Sequence, residues 1–80
     1  MVKMRVKFTF PADQIKEPVI YEVGKRFGLV TNIRRADITA EVAWAVLELD
    51  GERSDLDAGI KWVEGLGVRV DPIEDSIIEG

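Results

Sequence analysis

The 80-residue sequence contains neither cysteine nor histidine. Without cysteine the chain has no disulfide framework, no thiol chemistry and no iron–sulfur or cysteine-ligated zinc site. Without histidine it lacks the usual general base and the commonest transition-metal ligand. These two absences argue against an enzyme, and we expect neither a metal site nor a cofactor.

Long apolar runs and a phosphate-binding loop are missing too. No apolar stretch approaches the roughly 20 residues that a membrane span requires, and the first residues alternate instead of forming the apolar segment of a signal peptide. The sequence has no glycine-rich loop ending in Lys-Ser or Lys-Thr, which would hold the phosphates of ATP. We therefore expect a cytoplasmic protein that neither inserts into a membrane nor hydrolyses ATP.

The remaining composition is that of one small globular domain. Hydrophobic residues make up 46% of the chain, which suffices for a single core at this length. The net charge of -4 is unevenly divided: residues 1–40 carry eight Lys and Arg against four Asp and Glu, and residues 41–80 carry three against eleven. The division fits either two differently charged surfaces, one of which meets an acidic partner, or solvated faces that balance one another.

Residues 2–10 give the clearest strand, because apolar and polar side chains alternate there with a period of two. A polar loop is predicted at 12–17, and Pro18 fits the first turn of the helix that follows. The apolar stripe of this helix contains Ile20, Val23 and Phe27. Gly24 shares the stripe, which predicts a close approach of the helix backbone to the sheet, and Gly28 is expected to end the helix in the left-handed conformation.

The rest of the chain contains three strands and a second helix. Strands are predicted over residues 29–36, 42–50 and 68–71, and Pro72 ends the last one because proline cannot donate to a β ladder. Residues 54–57, Ser-Asp-Leu-Asp, match a capping box at the start of the second helix. The buried stripe of that helix contains Leu56, Ile60 and Val63.

The element order strand, helix, strand, strand, helix, strand predicts an α+β, ferredoxin-like βαββαβ fold. Its two right-handed crossovers put both helices on one face of a four-stranded antiparallel sheet with strand order 4-1-3-2. The predicted core consists of Met4, Val6, Phe8, Phe10, Ile20, Val23, Phe27, Ile33, Leu47, Leu49, Leu56, Ile60, Val63, Val68 and Val70.

The face of the sheet that the helices leave open follows from the same alternation. If Val6 and Leu47 face the helices, the open face carries Lys3, Arg5, Lys7, Trp44, Val46 and Glu48, and it gains Asn32 and Arg34 if Ile33 faces the core. Trp44 and Val46 make this face more apolar than a solvated sheet surface should be, and an exposed apolar patch on a small domain marks a partner. We expect self-association or docking through these two residues.

Asn32 is an unusual residue for a strand, because its amide competes for backbone hydrogen bonds. Two interpretations are open. The asparagine bridges backbone groups at an edge strand, or it is kept so that its amide can bind a ligand.

Several segments of the chain resemble one known family. They are Phe8-Thr9-Phe10-Pro11, Glu17-Pro18-Val19-Ile20, Arg26-Phe27-Gly28-Leu29-Val30-Thr31-Asn32-Ile33-Arg34, Ile60-Lys61-Trp62-Val63 and Gly67-Val68-Arg69-Val70. In this order they resemble the NIL domain, which is named for an Asn-Ile-Leu motif that reads Asn32-Ile33-Arg34 here. The resemblance implies a NIL-like domain over residues 1–72. The tail or linker at 73–80 resembles the segment that joins such a domain to a following ferredoxin module.

The resemblance also implies a function. In bacterial methionine-import ATPases, NIL domains form the C-terminal regulatory part, are ferredoxin-like, pair with each other, and bind methionine near the pairing interface to inhibit transport. By this resemblance Asn32 would be a ligand-binding residue in a homodimer, linked to methionine transport or sulfur assimilation. The partner would be a transporter ATPase or a ferredoxin module. The chain departs from the family at Arg34, where the motif has an apolar residue.

Two hypotheses follow for the open face. A domain that senses methionine or a related sulfur amino acid needs a partner for the carboxylate, an acceptor for the ammonium and an apolar slot. Asn32 can donate and accept, Arg34 or Arg5 can pair with the carboxylate, and Trp44 or Val46 can form the slot. The alternative is a protein-interaction or dimerisation module without a small-molecule ligand, which needs only the apolar patch.

Two further functions fit the sequence poorly. Lys3, Arg5 and Lys7 form a basic stripe, but Phe8 and Phe10 have core-facing parity and cannot stack on bases, and the net charge is -4. We therefore expect no nucleic-acid partner. An acylphosphatase-type enzyme would need an arginine in the loop after the first strand, whereas residues 11–17 contain two acids and no glycine.

Overall fold

A computed structural model describes residues 2–11, 18–39, 41 and 43–79 of the chain, with the backbone alone for 74–79. The polar loop predicted at 12–17 and the predicted first residue of the third strand, at position 42, lie outside the described residues. The elements are the strands β1 (Val2–Phe10), β2 (Val30–Ile38), β3 (Ala43–Gly51) and β4 (Arg69–Glu79) and the helices α1 (Val19–Phe27) and α2 (Arg53–Gly65).

The four strands form one antiparallel sheet in the order β2-β3-β1-β4. The ferredoxin-like α+β fold and its predicted strand order are thereby confirmed. β1 and β3 are the central strands and pair along their whole length, from Val2 opposite Gly51 to Phe10 opposite Ala43. The two outer strands, β2 and β4, are the edges of the sheet.

One hydrophobic core joins both helices to a single face of the sheet. It consists of Met4, Val6, Phe8, Val19, Val23, Leu29, Ala45, Leu47, Leu49, Leu56, Val63 and Val68. On β1 and β3 the buried apolar residues alternate with residues of the other face, as the sequence period predicts. The predicted core residues Phe10, Ile20, Phe27, Ile60 and Val70 are half-buried around this cluster.

α1 begins after Pro18 and ends at a left-handed glycine. Gly28 has a φ of 65°, and the Leu29 amide donates to the Gly24 carbonyl at 2.9 Å, which confirms the predicted cap. The predicted close approach at Gly24 is also confirmed, because a Cβ there would lie 3.0 Å from the Leu29 carbonyl oxygen and 3.2 Å from Cγ2 of Thr31.

The capping box predicted at residues 54–57 is wrong. α2 begins at Arg53 with Glu52 as its N-cap, and no side chain caps it through a hydrogen bond. Only Glu52 separates β3 from α2, so Ser54 already lies inside the first helical turn and cannot cap it. Asp55 of the same turn still suits the positive end of the helix dipole.

The prediction that Pro72 ends the last strand is wrong as well. Pro72 lies opposite Val6, and β4 continues to Glu79, where it pairs with the beginning of β1. Proline is tolerated because β4 is an edge strand and because its pairing shifts register between Met4 and Val6. The division of the chain at residue 72 into domain and tail stays a prediction.

One predicted core residue, Ile33, lies outside the core. It pairs with the fully buried Leu47, yet its side chain is 56% exposed. β2 is an edge strand, and its residues from 32 to 38 are exposed on both faces, so the helices cover the beginning of β2 but not this part of it. The strands predicted at residues 29–36 and 42–50 correspond to β2 and β3, which lie at Val30–Ile38 and Ala43–Gly51.

Candidate functional site

The open face of the sheet brings together the predicted ligand-binding residues. Arg5 of β1 and Asn32 of β2 lie directly opposite Glu48 of β3, one on each side. Directly opposite residues of an antiparallel pair share a face, and the neighbours of Glu48 on β3, Leu47 and Leu49, are buried in the core. Arg5, Glu48 and Asn32 therefore form a row across three strands on the face away from the helices.

Glu48 is the central charge of this row. Its Oε2 accepts from Nη2 of Arg5 at 2.6 Å and from Nε of the same guanidinium at 3.3 Å. The Glu48 side chain is only 9% exposed, whereas that of Arg5 is 37% exposed. Charge-assisted bonds of this kind fix both side chains, so Arg5 is already occupied by a protein carboxylate.

The surrounding cations keep Glu48 ionised. The hydrogen bond from Arg5 lowers the pKa of Glu48 below its ordinary value of 4.5, and the positive charges of Arg34, Arg5 and Lys3 act in the same direction. Burial alone would raise this pKa, but the cations outweigh it. Glu48 is therefore a carboxylate at neutral pH.

Arg34 reaches the same carboxylate through a β-bulge. The pairing of β2 with β3 shifts between Ile33 and Arg35, which leaves Arg34 as the extra residue of β2. Its Nη1 lies 4.0 Å from Oε1 of Glu48, beyond hydrogen-bond distance, and its side chain is 55% exposed. Arg34 thus approaches Glu48 but keeps its donors available.

The Asn32 side chain is exposed on β2. Among the residues that the structure describes, it makes no hydrogen bond to backbone or side chain. The interpretation in which its amide bridges backbone groups at an edge strand therefore has no counterpart in this part of the chain. An amide in this position can both donate and accept.

The residues predicted to form an interface, Trp44 and Val46, are both half-buried on the open face. Nζ of Lys7 lies 5.2 Å from the centroid of the Trp44 ring, a cation–π contact that covers part of the indole. Among the side chains that the structure describes, the strongly exposed large hydrophobic residues are Tyr21, Val30, Ile33 and Ile38, at 56% to 63% exposure.

Three of these four residues lie on β2, and sequence reasoning missed this apolar edge. The signal was present, since the predicted strand order already put β2 at the edge of the sheet, where the helices cover least. The unpaired backbone of an apolar edge strand is a surface on which another strand can pair.

A groove on the other side of the sheet is apolar. It is lined by Phe10, Pro18, Val19, Ile20, Tyr21, Ile38 and Ala43. Ala43 is buried on the helix side of β3, so this groove is separated from Asn32 and Glu48 by the sheet itself. The charged row and the groove are two different surfaces.

Within the described ranges, no three potential metal-ligating side chains are clustered. In the same part of the chain no helix has the length and hydrophobicity needed to cross a membrane.

The topology and the charged row define a small ferredoxin-like α+β domain with an open, polar sheet face. The family model of the NIL domain matches residues 4–72, and the chain belongs to this family. Its fold is similar to that of the C-terminal domain of an ABC transporter / ATP-binding protein from Enterococcus faecalis, with a TM-score of 0.78 and 23% identity over 88% of this chain and 82% of that one. No curated protein sequence matches the chain.

Proposed function

We propose that this protein is a non-catalytic regulatory domain that binds methionine or a related sulfur amino acid at or near a homodimer interface. Membership of the NIL family supports a role of this kind. The likeness to a C-terminal domain of an ATP-binding transporter component supports a link to transport, with sulfur assimilation as the other setting. The domain would act in the cytoplasm on a transporter ATPase or a ferredoxin module.

The observation that carries the proposal is the row on the open face. Asn32 has an unbonded amide within the described residues, and beside it Arg34 has a guanidinium that is 55% exposed. In this proposal Arg34 pairs with the ligand carboxylate, and Asn32 donates to or accepts from the ligand backbone. Arg5, which is bonded to Glu48, adds positive charge to the same site.

A second copy of the chain would complete the site. An open sheet gives an apolar side chain only one wall, here Trp44 or Val46, so an enclosed slot needs a second surface. The exposed aliphatic residues of β2, Val30 and Ile33, flank Asn32 and would be covered by a partner. Both features favour a ligand held near the contact between two copies.

Calorimetric titration of the purified protein with L-methionine tests the proposal, together with thermal melting in its presence. At a ligand concentration of about 100 times Kd, a single site stabilises the folded state by about 2.7 kcal/mol, which raises the melting temperature of a domain of this size by about 10 to 20 °C. Asn32→Ala should abolish the heat of L-methionine binding, and Ser54→Ala, an exposed change on α2, should leave this heat unchanged. No heat and no thermal shift with L-methionine and related sulfur amino acids would refute binding of these ligands.

The second candidate is a protein-interaction module without a small ligand. The exposed residues Val30, Ile33 and Ile38 on an unpaired edge strand favour it, because pairing with another strand would bury them. Sedimentation of the protein with and without L-methionine separates the two functions. A dimer whose association constant is independent of methionine would support the interaction module.

A further inference from the structure

The two oxygens of Glu48 have different surroundings. Oε2 accepts both bonds from Arg5, at 2.6 Å and 3.3 Å. Oε1 has Nη1 of Arg34 at 4.0 Å, which is too far for a hydrogen bond. Among the described residues Oε1 accepts no hydrogen bond, so one side of an almost buried carboxylate keeps its full acceptor capacity.

Among the described residues no buried side-chain oxygen lacks a hydrogen-bond partner, so Oε1 of Glu48 is reached by solvent from the open face. Glu48 as a whole is only 7% exposed, and the bond from Arg5 holds its pKa low, so Oε1 stays an anionic acceptor that a ligand can reach. Oε1 and the guanidinium of Arg34 thus form a pair of opposite charges with unused bonding capacity, side by side on the open face.

A free α-amino acid carries the complementary pair. Its ammonium and carboxylate groups are attached to the same carbon, so they can meet an acceptor and a donor that lie close together. We propose that Oε1 of Glu48 accepts from the α-ammonium group of the ligand while Arg34 donates to its α-carboxylate. Arg5 is then a positioning residue that holds Glu48. This inference rests on the proposed function and adds the residue that would bind the ammonium group of its ligand.

The local charge also favours a zwitterion. Lys3, Arg5 and Arg34 act on the carboxylate of Glu48, and with Asp50 opposite Lys3 three cations stand against two carboxylates, so the cluster is positive as a whole. A simple amine is repelled by this excess, and a simple carboxylic acid leaves Oε1 without a partner. Because Arg5 fixes Glu48 before the ligand arrives, little side-chain ordering is required on binding.

Asp50 provides a matched control. It lies two residues after Glu48 on the same face of β3, opposite Lys3 and Val30. No hydrogen bond or ion pair involves it within the described residues. Asp50→Asn removes a negative charge from the same strand without touching the proposed ammonium acceptor.

The experiment is calorimetry with three probes on the full chain and on the variants Glu48→Gln, Arg34→Gln and Asp50→Asn. The probes are L-methionine, its deaminated analogue 4-(methylsulfanyl)butanoate and its decarboxylated analogue 3-(methylsulfanyl)propylamine. Glu48→Gln should weaken the binding of L-methionine about 10- to 100-fold, the range of a hydrogen bond to a charged group. The same variant should weaken the binding of the deaminated acid by less than about threefold, because this probe has no ammonium group. Arg34→Gln should weaken L-methionine but not the amine.

Several outcomes would overturn the inference. If Glu48→Gln lost affinity equally for L-methionine and for the deaminated acid, Glu48 would have a structural role. The same would follow if Asp50→Asn lost as much affinity for L-methionine as Glu48→Gln. Arg34 is exposed, so the Arg34→Gln comparison remains decisive even if Glu48→Gln folds poorly by circular dichroism. If the unaltered protein binds L-methionine but Glu48→Gln weakens L-methionine and the deaminated acid equally, this inference fails and the proposed function stands. If the unaltered protein binds no zwitterion, the proposed function fails with it.

Discussion

Leu47 and Ile33 allow a direct test of how the sheet is covered, because they are paired across β3 and β2 on the same face. Leu47 is 0% exposed and Ile33 is 56% exposed. We compare Leu47→Ala with Ile33→Ala, two truncations of similar size. If the helices cover β3 and leave β2 open, the first is costly and the second is mild.

The magnitudes follow from burial. Truncating a fully buried leucine costs about 2 to 5 kcal/mol through lost transfer energy and the cavity left behind. Ile33 has less than half of its surface covered, so its truncation should cost about 0.5 to 1 kcal/mol. With a total stability of roughly 5 kcal/mol for a domain of this size, Leu47→Ala removes much of the folding free energy.

Urea unfolding at low protein concentration measures both values, because dilution separates any copies that associate. If Ile33→Ala destabilises the dilute protein as strongly as Leu47→Ala, β2 is covered in solution and the reasoning is refuted. Repeating the titration at high concentration adds information. If Ile33→Ala lost additional unfolding free energy only at high protein concentration, the β2 edge would be covered by a second copy of the chain.

Three further predictions concern the interface, the charged row and the helix cap. Trp44→Glu should dissociate a homodimer in sedimentation, whereas Tyr21→Glu, an exposed change on α1, should leave it intact. If the Trp44→Glu variant still sediments as a dimer, the interface lies elsewhere. The pKa of Glu48 is lowered from 4.5 by Arg5, so its ionised form stabilises the folded state above pH 4.5 and this contribution is lost as the pH falls through the lowered pKa. The gap in urea midpoint between the unaltered protein and Glu48→Gln should therefore be larger at pH 7 than well below pH 4.5, and a constant gap would contradict the pairing. Gly28→Ala, at a φ of 65°, should lower the free energy of unfolding by about 1 to 2 kcal/mol in the same assay. Gly65→Ala, where an added Cβ meets nothing within 4 Å, should be neutral or stabilising. Equal effects of the two substitutions would argue against backbone strain at Gly28.

Most of the fold could be predicted from the sequence because its signals are local. The alternation of residues 2–10 and the stripes of the two helices require no knowledge of distant residues, and the order of the elements then leaves few topologies. The errors occur where a distant partner decides. Pro72 does not end β4 because that strand lies at an edge, and Ile33 leaves the core because the helices do not cover the part of β2 that begins at residue 32.

The candidate site was predictable only in part. Strand parity was enough to expect Arg5, Asn32 and Arg34 on one face, and the register bears out this position for Arg5 and Asn32. Whether any of them binds a ligand stays a prediction. The bulge at Arg34 and the unequal surroundings of the Glu48 oxygens depend on strand register and side-chain conformation, which a single sequence does not contain.

The β-bulge at Arg34 also decides which side chains the second half of β2 presents to each face of the sheet. With Arg34 as the extra residue, Arg35 pairs with Val46 and Asp37 with Trp44 on the open face, while Ala36 and Ile38 follow the buried residues of β3. If Arg34 instead paired with Val46 in regular alternation, without the bulge, every later residue of β2 would shift by one position and this assignment would be reversed. Ala36 and Ile38 would then lie among the charges, and Arg35 and Asp37 would face the apolar groove. The bulge thus accommodates one additional residue and keeps the polar and apolar surfaces of this edge apart.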